Sequence, residues 1–140
     1  MDANDVRVWV AAYEEGWRAQ DVGAVARLFT DDALYLRGAY DTGLRGRAAI
    51  EEQWIDPTPF RMTSEVVAVD PPTAVVRVEV HYDAHKPLEF RDLWVMRFAD
   101  DGRVEHFEEW AHWPGMTYTE PDGDGPGSTS GQEDEVPDEG

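Results

Sequence analysis

The chain has 140 residues, 30 of them acidic and 12 basic, none cysteine, and a formal charge of −18 at neutral pH. That length suggests one domain. The composition disfavours nucleic acid and anionic membrane as partners, because the longest basic cluster is Arg45-Gly-Arg47 and both partners need a basic patch. Disulfides, thiolate catalysis and cysteine-ligated zinc are excluded with the cysteines.

The N-terminal stretch MDANDVRVWV carries two acids ahead of its first arginine and holds no long apolar run. It therefore reads as neither signal peptide nor membrane anchor, and the expected address is cytoplasmic. Asn4 or Asp5 is placed to cap a first helix. Val6, Trp9, Val10, Tyr13 and Trp17 follow at i, i+3/i+4 spacing, with Arg7, Glu14, Glu15 and Arg18 on the other side. This helix is expected to end near Gln20. Asp21 then caps a short second helix with Val22, Val25, Ala26, Leu28 and Phe29 inward, stopped by Asp31-Asp32. Residues 33–44 read as a short strand and its return, interrupted by Gly38 and Gly43. Gly46 leads into a third helix, residues 47–54, which Pro57 and Pro59 end.

From there the period changes from 3.6 to 2. Strands are expected over 62–69, 74–83, 88–98 and 103–113, joined by Asp70-Pro71-Pro72, by residues 84–87 and by Asp100-Asp101-Gly102. In the second of these, Val76, Val78, Val80 and Tyr82 alternate with Arg77, Glu79, His81 and Asp83. Helices first and an antiparallel meander afterwards is an α+β pattern. From Glu120 to the end the chain has eight acids, no basic residue, many Gly and Pro, and Val136 as its only sizeable apolar side chain. Such a segment cannot bury enough surface to offset its ordering entropy. The expected organisation is thus a domain over 1–117 and a disordered acidic tail over 118–140.

The run from Trp9 to Trp54 (WVAAYEEGWRAQDVGAVARLFTDDALYLRGAYDTGLRGRAAIEEQW) and the run from Phe90 to Gly115 (FRDLWVMRFADDGRVEHFEEWAHWPG) resemble the nuclear transport factor 2-like superfamily, in its SnoaL-like branch. The matching features are the "LFTDDA" helix end, the "GRAAI" helix start and the "DGRVEHFEEW" hairpin, in that order. The resemblance covers about residues 5 to 115. It implies a cone in which three N-terminal helices pack within a strongly curved antiparallel sheet around a deep apolar pocket. It also implies a homodimer through the outer sheet face. Members include isomerases, dehydratases, epoxide hydrolases, polyketide cyclases and proteins without known activity, so the fold does not give the function.

Strand parity points to candidate site residues. Over 88–98 the apolar face carries Leu88, Phe90, Asp92, Trp94, Met96 and Phe98, which places an acid among aromatics. A three-residue loop at Asp100-Asp101-Gly102 would pair Phe98 with Val104, Trp94 with Glu108, Asp92 with Trp110 and Phe90 with His112. His112 would then lie diagonal to Asp92, about 5.5–8 Å away at Cβ. In that register Asp92, Glu108 and His112 converge between Trp94, Trp110 and Tyr82, an arrangement suited to proton transfer. A two-residue Asp101-Gly102 turn would shift the register and bring Glu105, Phe107 and Glu109 to that face instead. Asp92 could also be a structural acceptor for a Tyr or Arg. His112 occupies the place where SnoaL-like cyclases carry an acid, so the cyclase mechanism does not transfer directly.

Tyr35 and Tyr40 fall on the strand that closes the cone in the family, where a hydroxyl could stabilise an oxyanion or simply pack with its oxygen at the rim. Trp9, Tyr13, Trp17 and Trp54 form helix-spaced stripes that read first as core. Trp17 and Trp54 are the two that the family would place over the pocket. His81, Asp83 and His85 share a strand face, but residues four apart on a strand lie about 13 Å apart, too far to share one ion easily. They read as a solvated or dimer-facing surface, and no metal or cofactor is expected. The combined expectation is a domain that encloses an apolar small-molecule pocket and works by cofactor-free acid/base catalysis of isomerase, dehydratase, cyclase or epoxide hydrolase type. In that reading Asp92, His112, Tyr35 and Tyr40 are catalytic, and Trp17, Trp54, Tyr82, Trp94, Glu108 and Trp110 line the pocket. The alternative is a non-catalytic dimeric ligand-binding or interaction module.

Overall fold

The computed structural model describes residues 1–84 and 88–116. The expected tail over 118–140, its boundary and His85 lie outside the described residues.

Helix α1, Ala3–Arg18, starts one turn earlier than its apolar stripe requires. Its cap is Asp2 rather than Asn4 or Asp5. The Asp2 carboxylate accepts from the Asp5 backbone N–H at 3.0 Å, and Asp5 returns the bond at 2.9 Å, a reciprocal capping box. The buried face carries Val6, Trp9, Val10, Tyr13 and Gly16. A Cβ at Gly16 would meet the Cβ of Ala24 at 2.6 Å, so a glycine here lets α1 and α2 approach. Helix α2, Ala24–Leu28, is shorter than expected, because Phe29 already belongs to strand β1, Phe29–Leu36. The short β2, Leu44–Arg45, returns against β1, and α3, Arg47–Gln53, follows.

The meander matches the expected strands within two residues at each end: β3 Phe60–Asp70, β4 Thr73–Tyr82, β5 Glu89–Phe98 and β6 Val104–His112. The six strands form one curved, unclosed sheet in the order β2-β1-β6-β5-β4-β3. It is not wholly antiparallel. β1 runs parallel to β6, with α3 and the meander making the long crossover between them. The helices pack on one face against Val76, Val78, Val80 and Tyr82 of β4 and the even-numbered residues of β5.

The register of the last hairpin decides which side chains enter that face. The turn is the expected one: Gly102 has φ +89°, and Phe98 pairs with Val104. A β-bulge follows immediately. Arg97 pairs with His106, so one extra residue of β6 is taken up beside Arg97 and every later pair moves by one. Trp94 therefore faces Glu109 rather than Glu108, Asp92 faces Ala111 rather than Trp110, and His112 lies opposite Arg91. The bulge produces the face change that a shorter turn would have produced. Phe107, expected on the outer face, is fully buried instead, its ring 4.7 Å from Tyr35 and 5.0 Å from Trp94. No helix among the described residues is long and apolar enough to cross a membrane.

Candidate functional site

A narrow cleft opens between the helices and the concave sheet face. Its floor is formed by Tyr35 of β1, Asp92 and Trp94 of β5, and Glu109 of β6. Tyr13 of α1, with Ile50 and Trp54 of α3, closes one side; Val80, Tyr82 and Phe90 close the other. Trp17, Leu44, Gln53 and Asp56 stand at the mouth. The free space is about 40 Å³, room for a few atoms, since one water needs roughly 10–15 Å³ on this measure.

Parity places Asp92 in the cleft. It sits between Phe90 and Trp94 on the buried face of β5 and is only 4% exposed, a rare position for an ionisable side chain. Glu109 arrives there through the bulge. It lies opposite Trp94, two residues from the position facing Asp92, so the two acids are diagonal neighbours across the hairpin. Their carboxyl groups are hydrogen-bonded to each other. Burial pushes the Glu109 carboxyl well above the usual carboxylate range, and the charge of Asp92 pushes it further; the Tyr35 hydroxyl and the Arg37 guanidinium act in the opposite direction. Two desolvated carboxyl groups in contact cannot both ionise easily, so the pair is built to hold a proton between them.

Two tyrosines extend the network. The Tyr35 hydroxyl donates to Glu109 Oε1 at 3.4 Å, a long bond, and meets the Tyr13 hydroxyl at 3.1 Å. Burial first, and then the Glu109 charge, raise both phenols well above their ordinary value. They therefore stay protonated and act as donors. The chain Tyr13–Tyr35–Glu109–Asp92 thus joins α1, β1, β6 and β5 through polar groups inside an aromatic shell. The Tyr13 ring lies 4.7 Å from Trp94 and 5.0 Å from Trp54. The Trp54 indole is fixed by its N–H to the Gly16 carbonyl at 3.3 Å, and Trp17 at the mouth stacks on Phe60 at 4.6 Å. Trp94 is 1% exposed, and its Nε1 has no hydrogen-bond partner among the described residues.

Of the residues expected at the site, the fold brings Asp92, Tyr35, Trp17, Trp54, Tyr82 and Trp94 to this cleft. It takes four elsewhere. Tyr40 is fully exposed on the turn closed by the Asp41 N–H to Gly38 carbonyl bond, beyond the end of β1. His112 is exposed, and the Asp92–His112 pair does not form, because the bulge turns His112 outward with Arg91. Glu108 lies on the outer face, where it accepts from Trp110 Nε1 at 2.9 Å and bonds His106 at 2.8 Å; these bonds hold its carboxyl below the usual range. Trp110 is 44% exposed on the same face, beside its cross-strand partner Leu93. Sequence reasoning missed Glu109 as a site residue, although the shifted register pointed to it, and read Tyr13 as core. Nothing in the local pattern marks Gln53 and Asp56, which reach the mouth only because α3 docks there. Among the described residues no three His, Asp or Glu side chains gather as a metal site.

A family model for the SnoaL-like domain matches residues 10–107. No curated protein matches the chain in sequence. Among solved structures, the epoxide hydrolase/cyclase-like enzyme SalBIII of pyran ring formation in the polyether salinomycin is similar at 17% identity, with 79% of this chain and 93% of that one covered and a TM-score of 0.67. A putative ketosteroid isomerase from Kribbella flavida is similar at 19% identity, 84% of each chain and a TM-score of 0.65. A putative polyketide cyclase from Sinorhizobium meliloti is similar at 20% identity, 78% of this chain and 99% of that one, with a TM-score of 0.63. At these identities the likeness is one of fold.

Proposed function

The chain belongs to the SnoaL-like domain family of the NTF2-like superfamily, and from that premise we propose that its cleft binds a small, largely apolar molecule and moves a proton on it without a cofactor. The observation that carries this reading is the hydrogen-bonded Asp92–Glu109 pair, buried where the cleft ends. In the proposed chemistry the protonated carboxyl gives its proton to a ligand oxygen, and the ionised one removes a proton from carbon or from water. Both steps need one acid and one base at the same place, and a pair that shares a proton provides them at neutral pH. Tyr35 orients Glu109, and Tyr13 orients Tyr35. Isomerisation, dehydration, cyclisation and epoxide opening all fall within this class, and the names of the similar solved structures include three of these four.

The same proposal places the protein in the cytoplasm as a homodimer, with neither nucleic acid nor membrane as partner. The net charge of −18 supports the last two points.

The test is hydrogen–deuterium exchange into a panel of small ketones and enones in D₂O, followed by NMR, with the wild-type chain and Asp92→Asn. Exchange at the carbon beside the carbonyl should be accelerated by the wild type and fall at least a hundredfold in the variant. Equal exchange by both proteins would remove Asp92 from the chemistry. Binding without any exchange would leave a ligand-binding module, a reading that the small free volume of the cleft also favours.

A further inference from the structure

The cleft is one-sided in charge. Asp92, Glu109 and Asp56 line it, and no Lys, Arg or His is among the residues that do. Arg37 is close enough to influence Glu109, but its guanidinium is engaged by Asp41 at 3.4 Å and by the Gln53 amide oxygen at 3.2 Å, and it stands outside the lining. A carboxyl pair that holds one proton still carries one negative charge. The walls act in the same sense, since the faces of Tyr13, Trp17, Trp54, Tyr82, Phe90 and Trp94 carry the negative side of the ring quadrupole. The indole N–H of Trp94, on the same wall and without an acceptor, is a second sign that the surface is completed by something other than the chain.

We propose that the ligand of this cleft carries a basic nitrogen, and that the protonated nitrogen is the group that reaches Asp92 and Glu109. This rests on the reading of the cleft as the ligand site and names the class of molecule it takes. An anionic ligand would meet the carboxyl pair without a counter-charge in a desolvated place, where like charges repel strongly. A neutral ligand would leave the net charge of the pair uncompensated. An ammonium or ring-NH⁺ compensates it and also gains from the aromatic faces. The free volume fits this division: about 40 Å³ accepts a nitrogen head group, while the rest of the molecule remains between Trp17, Leu44 and Gln53 at the mouth.

The experiment uses three probes of the same shape on the full chain at pH 7: benzylamine, benzyl alcohol and benzoate. Binding is read from tryptophan fluorescence, because Trp17, Trp54 and Trp94 line the cleft, and checked by calorimetry. Benzylamine should bind at least tenfold more tightly than benzyl alcohol, and benzoate more weakly than either. In Asp92→Asn and Glu109→Gln the advantage of the amine should vanish, while benzyl alcohol binds as in the wild type. Benzyl alcohol or benzoate binding as tightly as the amine would overturn the charge assignment and keep the cleft as a ligand site. No binding of any probe would overturn both. An amine advantage that survives both substitutions would place the cation elsewhere and also overturn the proposal.

Discussion

Glu109 of β6 meets Asp92 of β5 carboxyl to carboxyl, on the diagonal of a hairpin whose register a single bulged residue has moved. The sign of its pH dependence follows from that contact. The folded-state value of Glu109 lies above its unfolded value, so folding favours the protonated form. The stability this contributes is fully present below the usual carboxylate range and is lost as pH rises through the raised value.

The first prediction is therefore a melting temperature that declines from mildly acidic pH upward in the wild type. In Glu109→Gln, which keeps the size and a hydrogen bond but does not titrate, that decline should flatten. Thermal melts from pH 4 to pH 8 on both proteins check it. Parallel curves would mean that Glu109 titrates like an exposed acid.

Asp92→Asn should leave the fold intact, with a change in stability of no more than about 1 kcal/mol, since Asn keeps the shape and can still bond a protonated Glu109. Turnover or ligand preference should be lost. The double variant Asp92→Asn/Glu109→Gln should cost no more activity than either single change, because a pair acting as a unit is not additive. Independent, multiplying losses in the activity assay would show two separate roles.

Tyr35→Phe removes the hydroxyl between Tyr13 and Glu109. The expected cost is about 1–2 kcal/mol in stability and on the order of 10²-fold in activity. The remaining Glu109 carboxyl should titrate still higher. Tyr13→Phe, one step further from the carboxyl groups, should have the smaller effect on activity, a ranking that steady-state kinetics on the two variants decides.

Leu93 and Trp110 face each other across β5 and β6 on the outer side of the sheet, 42% and 44% exposed. With the half-buried Val95 they form an apolar patch of the kind that a second subunit covers. Light scattering at tens of micromolar should give twice the chain mass for the wild type. Leu93→Glu/Trp110→Glu should give the mass of one chain with an unchanged circular dichroism spectrum. A wild-type monomer would end the dimer proposal.

Removing residues 118–140 should leave the melting temperature within a degree or two, because the segment from Glu120 on holds one sizeable apolar side chain, Val136. A fall of many degrees would show that these residues contribute to the fold.

Periodicity made most of the architecture legible. The stripe Val6, Trp9, Val10, Tyr13 on α1 and the alternation Val76, Val78, Val80, Tyr82 on β4 are local patterns that burial enforces, and the strands emerged within two residues of their expected ends. The same alternation identified Asp92 as an acid facing the core. Three things were decided only in three dimensions. The parallel pairing of β1 with β6 depends on how the sheet curves around the helices. Gln53 and Asp56 reach the mouth because α3 docks beside it. Above all, the residue beside Asp92 depends on one bulge next to Arg97. Side chains alternate with a period of two, so one inserted residue exchanges the faces of all that follow. It carries Glu109 inward and Glu108, Trp110 and His112 outward. The sequence places a buried carboxyl on β5; only the packed sheet selects the second carboxyl that shares its proton.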